Sequence, residues 1–256
     1  MGYEGRLPAA LVAVRHGEST ANAAFAAAEA AGATEVAITS RDADIPLTPL
    51  GRRQAAALGR RMAALPAGQR PQSVWCSPYE RARQTAGEIL AELGSTSGSG
   101  PGSAPGSAPG DGPGSTSSGG LPVRYDERLR DRELGVLEML TAAAIDARHP
   151  AEAARRRRLG ELYYRPPGGE SWADVALRLH SLLADLAERE AGRRVLLVCH
   201  DAVVLMLRHI LEELDESALL AVHRAEGPLR NASVSEWRLR DGRLRPVCFN
   251  DTAHLA

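Results

Sequence analysis

Two histidines each follow directly after a short apolar run, at positions where chemistry is expected. Residues 11–14 lead into Arg15 and His16, and residues 195–199 lead into His200. Apolar runs of this length are typical of buried parallel strands, and open α/β sheets bind ligands at the carboxyl ends of such strands. The pattern predicts two imidazoles at one sheet edge, one suited to nucleophilic attack and the other to electrostatic support of an anion. A purely structural histidine is the alternative for either segment alone.

The residues around His16 favour a phosphoryl group as that anion. Gly17 lets the backbone approach a ligand closely, and Arg15 offers a planar fork of donors that matches phosphate oxygens. Arg-His-Gly-Glu-Ser at residues 15–19, followed by Asn22, resembles the signature of the histidine phosphatase superfamily, which includes the cofactor-dependent phosphoglycerate mutases. The resemblance implies that His16 is the catalytic nucleophile. It also implies substrate contacts by three nearby residues: Gly17, Ser19 and Asn22.

Further motifs appear in the order that the family has them. Residues 47–55 resemble the segment that opens the next helix, and they contain Thr48, a further expected substrate contact. Residues 76–86 resemble the second arginine block, in which Arg81 matches the phosphate-binding position. Residues 128–135 resemble the block that carries the proton donor. The resemblance assigns catalytic roles to five residues in all: Arg15, His16, Arg81, Asp131 and His200.

Three positions depart from the family pattern. Asp201 follows His200, where glycine is usual, and its carboxylate would repel an anionic substrate unless only its backbone N–H contacts the phosphoryl group. Asp201 therefore stays a candidate substrate contact. Asp131 replaces the glutamate of many relatives, and Glu133 lies two residues further on, so the pattern leaves both open as the acid. Ala21 replaces a bulkier residue of the mutases, which weighs against a mutase.

The segment between the acid block and the next long helix is rich in cationic and aromatic residues. Residues 155–158 are four successive arginines, which would spread around a helix and form a solvated surface rather than a nucleic-acid site. In the family this segment tends to cover the pocket. The resemblance therefore implies contacts to the substrate beyond its phosphate by this group: residues 155–158, Tyr163, Tyr164 and Arg165. Glu170 stands just before a predicted helix, so helix capping and substrate contact are both open for it.

Composition excludes several other kinds of site. The formal net charge of −1 over 256 residues indicates neither a nucleic-acid surface nor a membrane surface. The chain contains no lysine, so Schiff-base chemistry and Walker-type phosphate loops are excluded. Neither a nucleophile elbow nor a cysteine phosphatase loop is complete, and the seven histidines show no paired zinc spacing. We expect no metal and no cofactor, because arginines and the second imidazole supply the positive charge.

The organisation of the chain predicts one enzyme domain over residues 1–256. Residues 95–120 are almost wholly Gly, Ser, Pro and Ala, which predicts a disordered insert. Three cysteines, an odd number, indicate free thiols rather than a disulfide framework. The sequence shows no secretory leader and no spanning segment, which favours a cytoplasmic protein. A small phosphorylated substrate is the expected partner, without nucleic acid or membrane, and a homodimer is compatible with these features.

Apolar periodicity alternates along the chain between helices and strands. Strands are predicted near residues 11–14, 74–76, 123–125, 195–199, 234–239 and 244–249. Helices are predicted near residues 22–31, 49–64, 80–93, 141–148, 171–190, 202–211 and 217–223. The last two strands flank Asp241 and Gly242, a dipeptide typical of hairpin turns. This order predicts an α/β fold, a three-layer α/β/α sandwich around a mixed, mostly parallel sheet.

These expectations give one leading function and two alternatives. The leading function is a metal-independent phosphomonoesterase that hydrolyses a small phosphorylated metabolite through a phosphohistidine intermediate at His16. The second is a cofactor-dependent mutase of the phosphoglycerate type, which would return the phosphoryl group to another hydroxyl. The third is an inactive module that binds phosphorylated ligands. The presence of His16 together with Arg15, Arg81 and His200 argues against such a module.

Overall fold

The computed structural model describes residues 7–34, 36, 38–95 and 121–256. The described residues form six strands: β1 (Ala10–Arg15), β2 (Ser73–Cys76), β3 (Val123–Tyr125), β4 (Arg194–Cys199), β5 (Val234–Arg240) and β6 (Arg243–Asp251). They also form eight α-helices: α1 (Thr20–Ala30), α2 (Pro49–Ala63), α3 (Glu80–Ser95), α4 (Ala142–Arg148), α5 (Pro150–Leu159), α6 (Trp172–Arg189), α7 (Asp201–Leu211) and α8 (Glu216–Glu226). Apart from Ser95, the predicted insert at residues 95–120 lies outside the described residues.

The six strands pair into one sheet in the order β3-β2-β4-β1-β5-β6. The first four of these pair in parallel, whereas β5 runs antiparallel to both β1 and β6. In the pairing of β1 with β4, Arg15 lies opposite Cys199. The residues that follow, His16 and His200, therefore emerge side by side at one sheet edge, as the apolar runs predict.

Helices cover both faces of the sheet because successive strand residues point to opposite sides. Leu11 of β1 belongs to a buried cluster that includes Leu179 of α6. Its neighbour Val12 belongs to a second buried cluster that includes Leu58 of α2. The expected three-layer α/β/α sandwich with a mixed, mostly parallel sheet is therefore confirmed.

One helix, α5, was not predicted from the sequence. It starts with a proline at its first turn, and Ala153 is its buried residue. Its remaining positions are mostly polar, so apolar periodicity could not reveal it. The cysteines Cys76, Cys199 and Cys248 are free thiols, as their odd number indicates. Among the described residues, no helix has the length and apolar character that a bilayer span requires.

Candidate active site

Four segments converge at the sheet edge where the two histidines emerge. His16 follows β1, and His200 immediately precedes α7. Arg81 lies in the first turn of α3, which comes after β2. Asp131 follows the 3₁₀ turn Glu127–Leu129, which comes after β3. Because the carboxyl ends of parallel strands meet at the same edge, these side chains lie close together.

The hydrogen bonds of His16 define the state of its imidazole. Its Nδ1 lies 2.7 Å from the carbonyl oxygen of Gly17, so Nδ1 carries the proton and donates it. Its Nε2 accepts a hydrogen bond from Nε of Arg81 at 3.2 Å, which places the lone pair on Nε2. Burial, followed by the positive charge of Arg81, lowers the pKa of His16 well below its usual value of 6.5. His16 is therefore neutral and nucleophilic at neutral pH.

His200 differs from His16 in the kind of partner at its ring nitrogens, which are a serine hydroxyl and a carboxylate rather than a backbone carbonyl and a guanidinium. Its Nε2 lies 2.8 Å from Oγ of Ser77, and its Nδ1 lies 3.3 Å from Oδ2 of Asp131. The two imidazole centroids are 5.2 Å apart. Burial lowers the pKa of His200, and the neighbouring Asp131 carboxylate opposes that change. His200 is thus placed to stabilise charge next to His16 rather than to attack.

Asp131 lies between the second imidazole and Arg81. Its Oδ2 is 3.1 Å from Nη2 of Arg81 and 3.3 Å from Nδ1 of His200. Burial opposes ionisation of this carboxyl, but His200 and Arg81 outweigh burial and hold its pKa well below 3.8. Asp131 is therefore ionised at rest, and it must acquire a proton before it can act as an acid.

Arg15 supplies a second positive charge beside His16. One of its terminal nitrogens donates a hydrogen bond to the carbonyl oxygen of Leu229. Its Nε is buried and has no hydrogen-bond partner among the described residues. A buried donor without an acceptor costs free energy, and a bound anion would satisfy it. Two arginines and a neutral histidine thus form an anion site.

His16, Asp131 and His200 also present potential metal-ligand atoms that lie within 4.8 Å of one another. Their surroundings favour an anion over a cation. Arg81 donates hydrogen bonds to both His16 and Asp131, so its guanidinium lies against two of the three potential ligands. The side chain of Arg81 is only 4% exposed, and a divalent cation placed beside it would be strongly repelled.

The model of the histidine phosphatase superfamily, branch 1, matches residues 11–99 and 115–252 of this chain. The 2,3-bisphosphoglycerate-dependent phosphoglycerate mutase 2 of Gloeobacter violaceus is 31% identical over 220 residues, which cover 85% of this chain and 81% of that protein. The chain belongs to the histidine phosphatase superfamily. The resemblance predicted from the motifs is therefore confirmed.

Solved structures agree with this assignment. A mycobacterial glucosyl-3-phosphoglycerate phosphatase in complex with VO3 is 27% identical, with a TM-score of 0.65 over 96% of this chain and 99% of that chain. Bacillus stearothermophilus YhfR aligns with a TM-score of 0.69 at 23% identity, over 96% of this chain and 99% of that one, and shares its fold.

In this member of the superfamily the converging side chains open into a pocket of about 290 Å³. The pocket is lined by the predicted catalytic residues Arg15, His16, Arg81 and Asp131, and by three predicted substrate contacts, Ser19, Asn22 and Asp201. His200 is fully buried behind this lining. The lining also contains Phe25, Glu138, Met139 and Trp172, which no sequence motif had indicated, and Leu134 from the block at residues 128–135.

Ser19 and Asn22 form a reciprocal cap at the start of α1. Oγ of Ser19 accepts a hydrogen bond from the backbone N of Asn22 at 3.2 Å, and Oδ1 of Asn22 accepts one from the backbone N of Ser19 at 3.1 Å. Asn231, which sequence reasoning missed, donates its Nδ2 to Oδ1 of Asn22 at 3.0 Å and to the carbonyl of His16 at 3.2 Å. These bonds use the amide oxygen of Asn22, so its NH2 group is the part available to a phosphoryl oxygen.

Gly17 and Thr48 support the site from outside the pocket. The backbone N of Gly17 donates to Oγ1 of Thr85 at 3.0 Å, and a Cβ at Gly17 would lie 2.4 Å from the carbonyl oxygen of Gly51. Thr48 caps α2 by accepting a hydrogen bond from the backbone N of Gly51, and it donates to Glu18 at 2.7 Å. The structure thus assigns both residues to the packing of the segment after β1 against α2, away from the pocket lining.

Glu170 and Glu133 also lie away from the pocket lining. The Glu170 carboxylate accepts hydrogen bonds from Arg130 at 2.8 Å, from Arg178 at 3.0 Å and from the backbone N of Glu133 at 3.3 Å. The carboxylate of Glu133 is 49% exposed and pairs with Arg130. Of the two candidate acids, Asp131 is the one that lines the pocket.

Asp201 lines the pocket as the first residue of α7. Its Oδ1 accepts a hydrogen bond from the backbone N of Leu229 at 3.2 Å. Burial raises the pKa of this carboxyl, although the positive charge of Arg15 acts in the opposite direction. A carboxyl that ionises less readily repels a phosphoryl group less, which reduces the penalty expected from its position beside the site.

The segment expected to cover the pocket, residues 155–165, forms ion pairs and hydrogen bonds outside the pocket. Its arginines pair with neighbouring acids: Arg155 with Glu152, Arg156 with Glu161, and Arg157 with Asp146. Tyr164 is buried and donates its hydroxyl to Glu152 at 2.8 Å, and Arg165 pairs with Asp174. Residues 155–158, Tyr163, Tyr164 and Arg165 are not part of the pocket lining.

Proposed function

We propose that this member of the histidine phosphatase superfamily is a metal-independent phosphomonoesterase that hydrolyses a small phosphorylated metabolite through a phosphohistidine at His16. The observation that carries the proposal is the state of His16, whose Nδ1 donates to Gly17 and whose Nε2 keeps the lone pair beside Arg81. The buried, unpaired Nε of Arg15, among the described residues, supports a phosphoryl group as the ligand. A pocket of about 290 Å³ suits a small metabolite.

The first chemical step forms a bond between phosphorus and Nε2 of His16 and breaks the bond to the ester oxygen. Arg15 and Arg81 stabilise the negative equatorial oxygens of the phosphoryl group, and the buried His200 adds to that stabilisation. Asp131 gives a proton to the departing ester oxygen, so the product leaves as an alcohol.

The proton for this step comes from the substrate, because the pKa of Asp131 is held well below 3.8 in the free protein. A phosphate monoester loses its last proton with a pKa of about 6, so a monoanionic ester carries a proton into the site. The ester passes that proton to Asp131, which hands it to the leaving oxygen. In the second step the ionised Asp131 takes a proton from water, and the resulting hydroxide attacks phosphorus and releases His16 and inorganic phosphate.

A mutase of the phosphoglycerate type is the second candidate, and the mutase from Gloeobacter violaceus favours it. Such an enzyme would use the same first step and then return the phosphoryl group to another hydroxyl. The mycobacterial relative, a phosphatase by name, favours transfer to water instead. The two candidates share a nucleophile and differ only in the acceptor of the second step.

Hydrolysis of p-nitrophenyl phosphate with and without EDTA tests the proposal. We expect the hydrolysis rate to be unchanged after thorough chelation, because side chains supply the positive charge that stabilises the phosphoryl oxygens. Loss of activity to the chelator, with recovery on adding magnesium, would overturn the metal-free mechanism.

A second assay separates the two candidates. Incubation with 3-phosphoglycerate and a catalytic amount of 2,3-bisphosphoglycerate, followed by phosphorus NMR, distinguishes phosphate release from isomerisation. We expect phosphate release, and isomerisation without it would replace the phosphatase with the mutase. A panel of phosphorylated metabolites then ranks substrates by kcat/KM.

A further inference from the structure

The guanidinium of Arg81 is saturated by protein groups. Its Nε donates to His16 at 3.2 Å. Its Nη1 lies 2.6 Å from the carbonyl oxygen of Asp42 and 2.9 Å from Oδ1 of the same residue. Its Nη2 lies 3.0 Å from Oδ2 of Asp42 and 3.1 Å from Oδ2 of Asp131. These partners use all five N–H groups that a guanidinium offers.

Asp42 reaches Arg81 from a turn that no sequence motif had marked. It begins the 3₁₀ turn Asp42–Asp44 between α1 and α2, and its side chain is 22% exposed and lines the pocket. The other acidic residue of this turn, Asp44, pairs at 2.7 Å with Arg41 on the exposed side. One carboxylate of the turn therefore faces the phosphate-binding arginine, and the other faces solvent.

The contact between Asp42 and Arg81 has the geometry by which arginine binds phosphate. Two carboxylate oxygens lie against two terminal guanidinium nitrogens, which is the bidentate arrangement that a phosphoryl group also adopts. Bond formation at His16 would free Nε of Arg81, and protonation of Asp131 would weaken its hold on Nη2. Neither event frees Nη1, so a phosphoryl group gains that nitrogen only when Asp42 moves.

We propose that Asp42 competes with phosphate for Arg81 and so limits how tightly the site holds inorganic phosphate, the product of the reaction. The inference rests on the phosphatase function proposed above and adds a positioning residue to it. Among the described residues, Nε of Arg15 has no hydrogen-bond partner, although the Asp201 carboxyl lies close enough to interact electrostatically with this guanidinium. The site thus combines Arg15, which has an unpaired donor for phosphate, with Arg81, whose terminal nitrogens are occupied by Asp42.

The competition has a measurable consequence. The apparent affinity for phosphate equals the intrinsic affinity reduced by the fraction of molecules in which Arg81 is free of Asp42. Removal of the carboxylate should therefore tighten phosphate binding and lower KM for an ester, without a matching rise in kcat. Damage to the turn would have the opposite effect, because a displaced Arg81 would bind phosphate more weakly.

Isothermal titration calorimetry with inorganic phosphate tests this in the full-length protein. The series comprises the wild type, Asp42→Asn and Asp42→Ala, with Asp44→Asn as the matched control from the same turn. We expect Asp42→Ala to bind phosphate about tenfold more tightly than the wild type. Asp42→Asn should fall between the two because it keeps one acceptor oxygen, and Asp44→Asn should bind like the wild type.

Equal or weaker phosphate binding by both Asp42 variants would overturn the proposal, and so would an equal gain in Asp44→Asn. Thermal melting at increasing phosphate concentrations supplies the same comparison for a destabilised variant, because a ligand raises the melting temperature according to its affinity. Calorimetry measures binding without turnover. Absence of ester hydrolysis by the wild type would therefore reject the phosphatase, whereas unchanged phosphate affinity in the Asp42 variants would reject the competition.

Discussion

The two strand ends that carry histidines are similar in sequence and differ in their hydrogen bonds. At the end of β1, Nδ1 of His16 is fixed by a backbone carbonyl, and Nε2 meets a donor from Arg81. At the end of β4, His200 is held from both sides, by Ser77 and by Asp131. Strand position thus brings an imidazole to the site, whereas the surrounding donors and acceptors decide whether it attacks or supports.

The charged groups next to the two imidazoles also differ. Burial and then Arg81 lower the pKa of His16, and no neighbouring carboxylate offsets them to a comparable degree. Burial also lowers the pKa of His200, but there Asp131 acts in the opposite direction. Burial thus favours the neutral form of both imidazoles, and Asp131 favours the charged form of His200. The proposed mechanism accordingly uses His16 for attack and His200 for charge stabilisation.

Substitution of the two histidines should give the largest effects on kcat. These variants also test whether His16 is the nucleophile and His200 the supporting imidazole. We expect His16→Ala to lower kcat by about 10⁴-fold or more, because it removes the atom that bonds to phosphorus. His200→Ala should lower kcat by about 10² to 10³-fold, because it removes charge stabilisation only. Acid-quench mass spectrometry should find the phosphoryl group on His16 in the wild type and in His200→Ala. A phosphoryl group on His200 would reverse the assignment.

The next largest effect should come from Asp131, the carboxylate on the His200 side. We expect Asp131→Asn to slow phosphorylation by an alkyl phosphate about 10²-fold or more, because an alkoxide leaves poorly without a proton. The loss should be much smaller with p-nitrophenyl phosphate, whose leaving group is a stable anion. Pre-steady-state release of nitrophenolate isolates this step from the later hydrolysis.

Glu133→Gln is the matched control for Asp131→Asn, because its carboxylate is exposed and lies away from the pocket lining. It should leave both substrates nearly unaffected. Equal losses for both esters in Asp131→Asn, or a loss in Glu133→Gln that depends on the leaving group, would reassign the proton donor.

Sequence predicts well those parts of the site that depend on local pattern. Apolar runs and turn residues fix where β1 and β4 end, and this places His16 and His200 at one edge. Partners that arrive from distant turns leave no such signal: Asp42 and Asn231 stand in segments without periodicity, 39 residues from Arg81 and 209 from Asn22. Their roles depend on how loops pack over the sheet, which spacing along the chain does not encode.

Glu170 shows that a local motif can also allow two roles without deciding between them. Its position before α6 allows both capping and substrate contact, and the choice depends on which cations reach it. Arg130, from the segment after β3, and Arg178, from α6 itself, pair with its carboxylate and hold it away from the pocket. The side-chain partners, rather than the local motif, thus decide its role.

The pH dependence of kcat/KM should show a moderate effect, and it tests whether His16 stays neutral. Because the pKa of His16 lies below 6.5, the neutral nucleophile persists as the pH falls through 6.5. Over the same interval the monoanionic ester becomes more abundant, since its pKa is about 6. We therefore expect kcat/KM for an alkyl phosphate to rise as the pH is lowered from about 7.5 to about 6. A decline with an apparent pKa near 6.5 would show that burial does not keep His16 neutral.

The smallest effect should come from Ser77, which holds His200 from the side opposite Asp131. Ser77→Ala removes the oxygen that lies 2.8 Å from Nε2 of His200, so the imidazole loses one of its two fixed contacts. We expect kcat to fall about 5- to 20-fold, the value of roughly one buried hydrogen bond, while His16 is still phosphorylated. Stopped-flow measurement of nitrophenolate release gives the rate.

Ser73→Ala is the matched control for Ser77→Ala, because Ser73 is buried in β2 and its Oγ has no partner among the described residues. It should change the rate little. A double-variant cycle with His200→Ala then tests the route of the effect. If Ser77 acts through His200, Ser77→Ala should not lower kcat further in a protein that already carries His200→Ala. An equal additional loss in the double variant would mean that Ser77 stabilises the segment before α3. The difference between the two imidazoles would then rest on Asp131 alone.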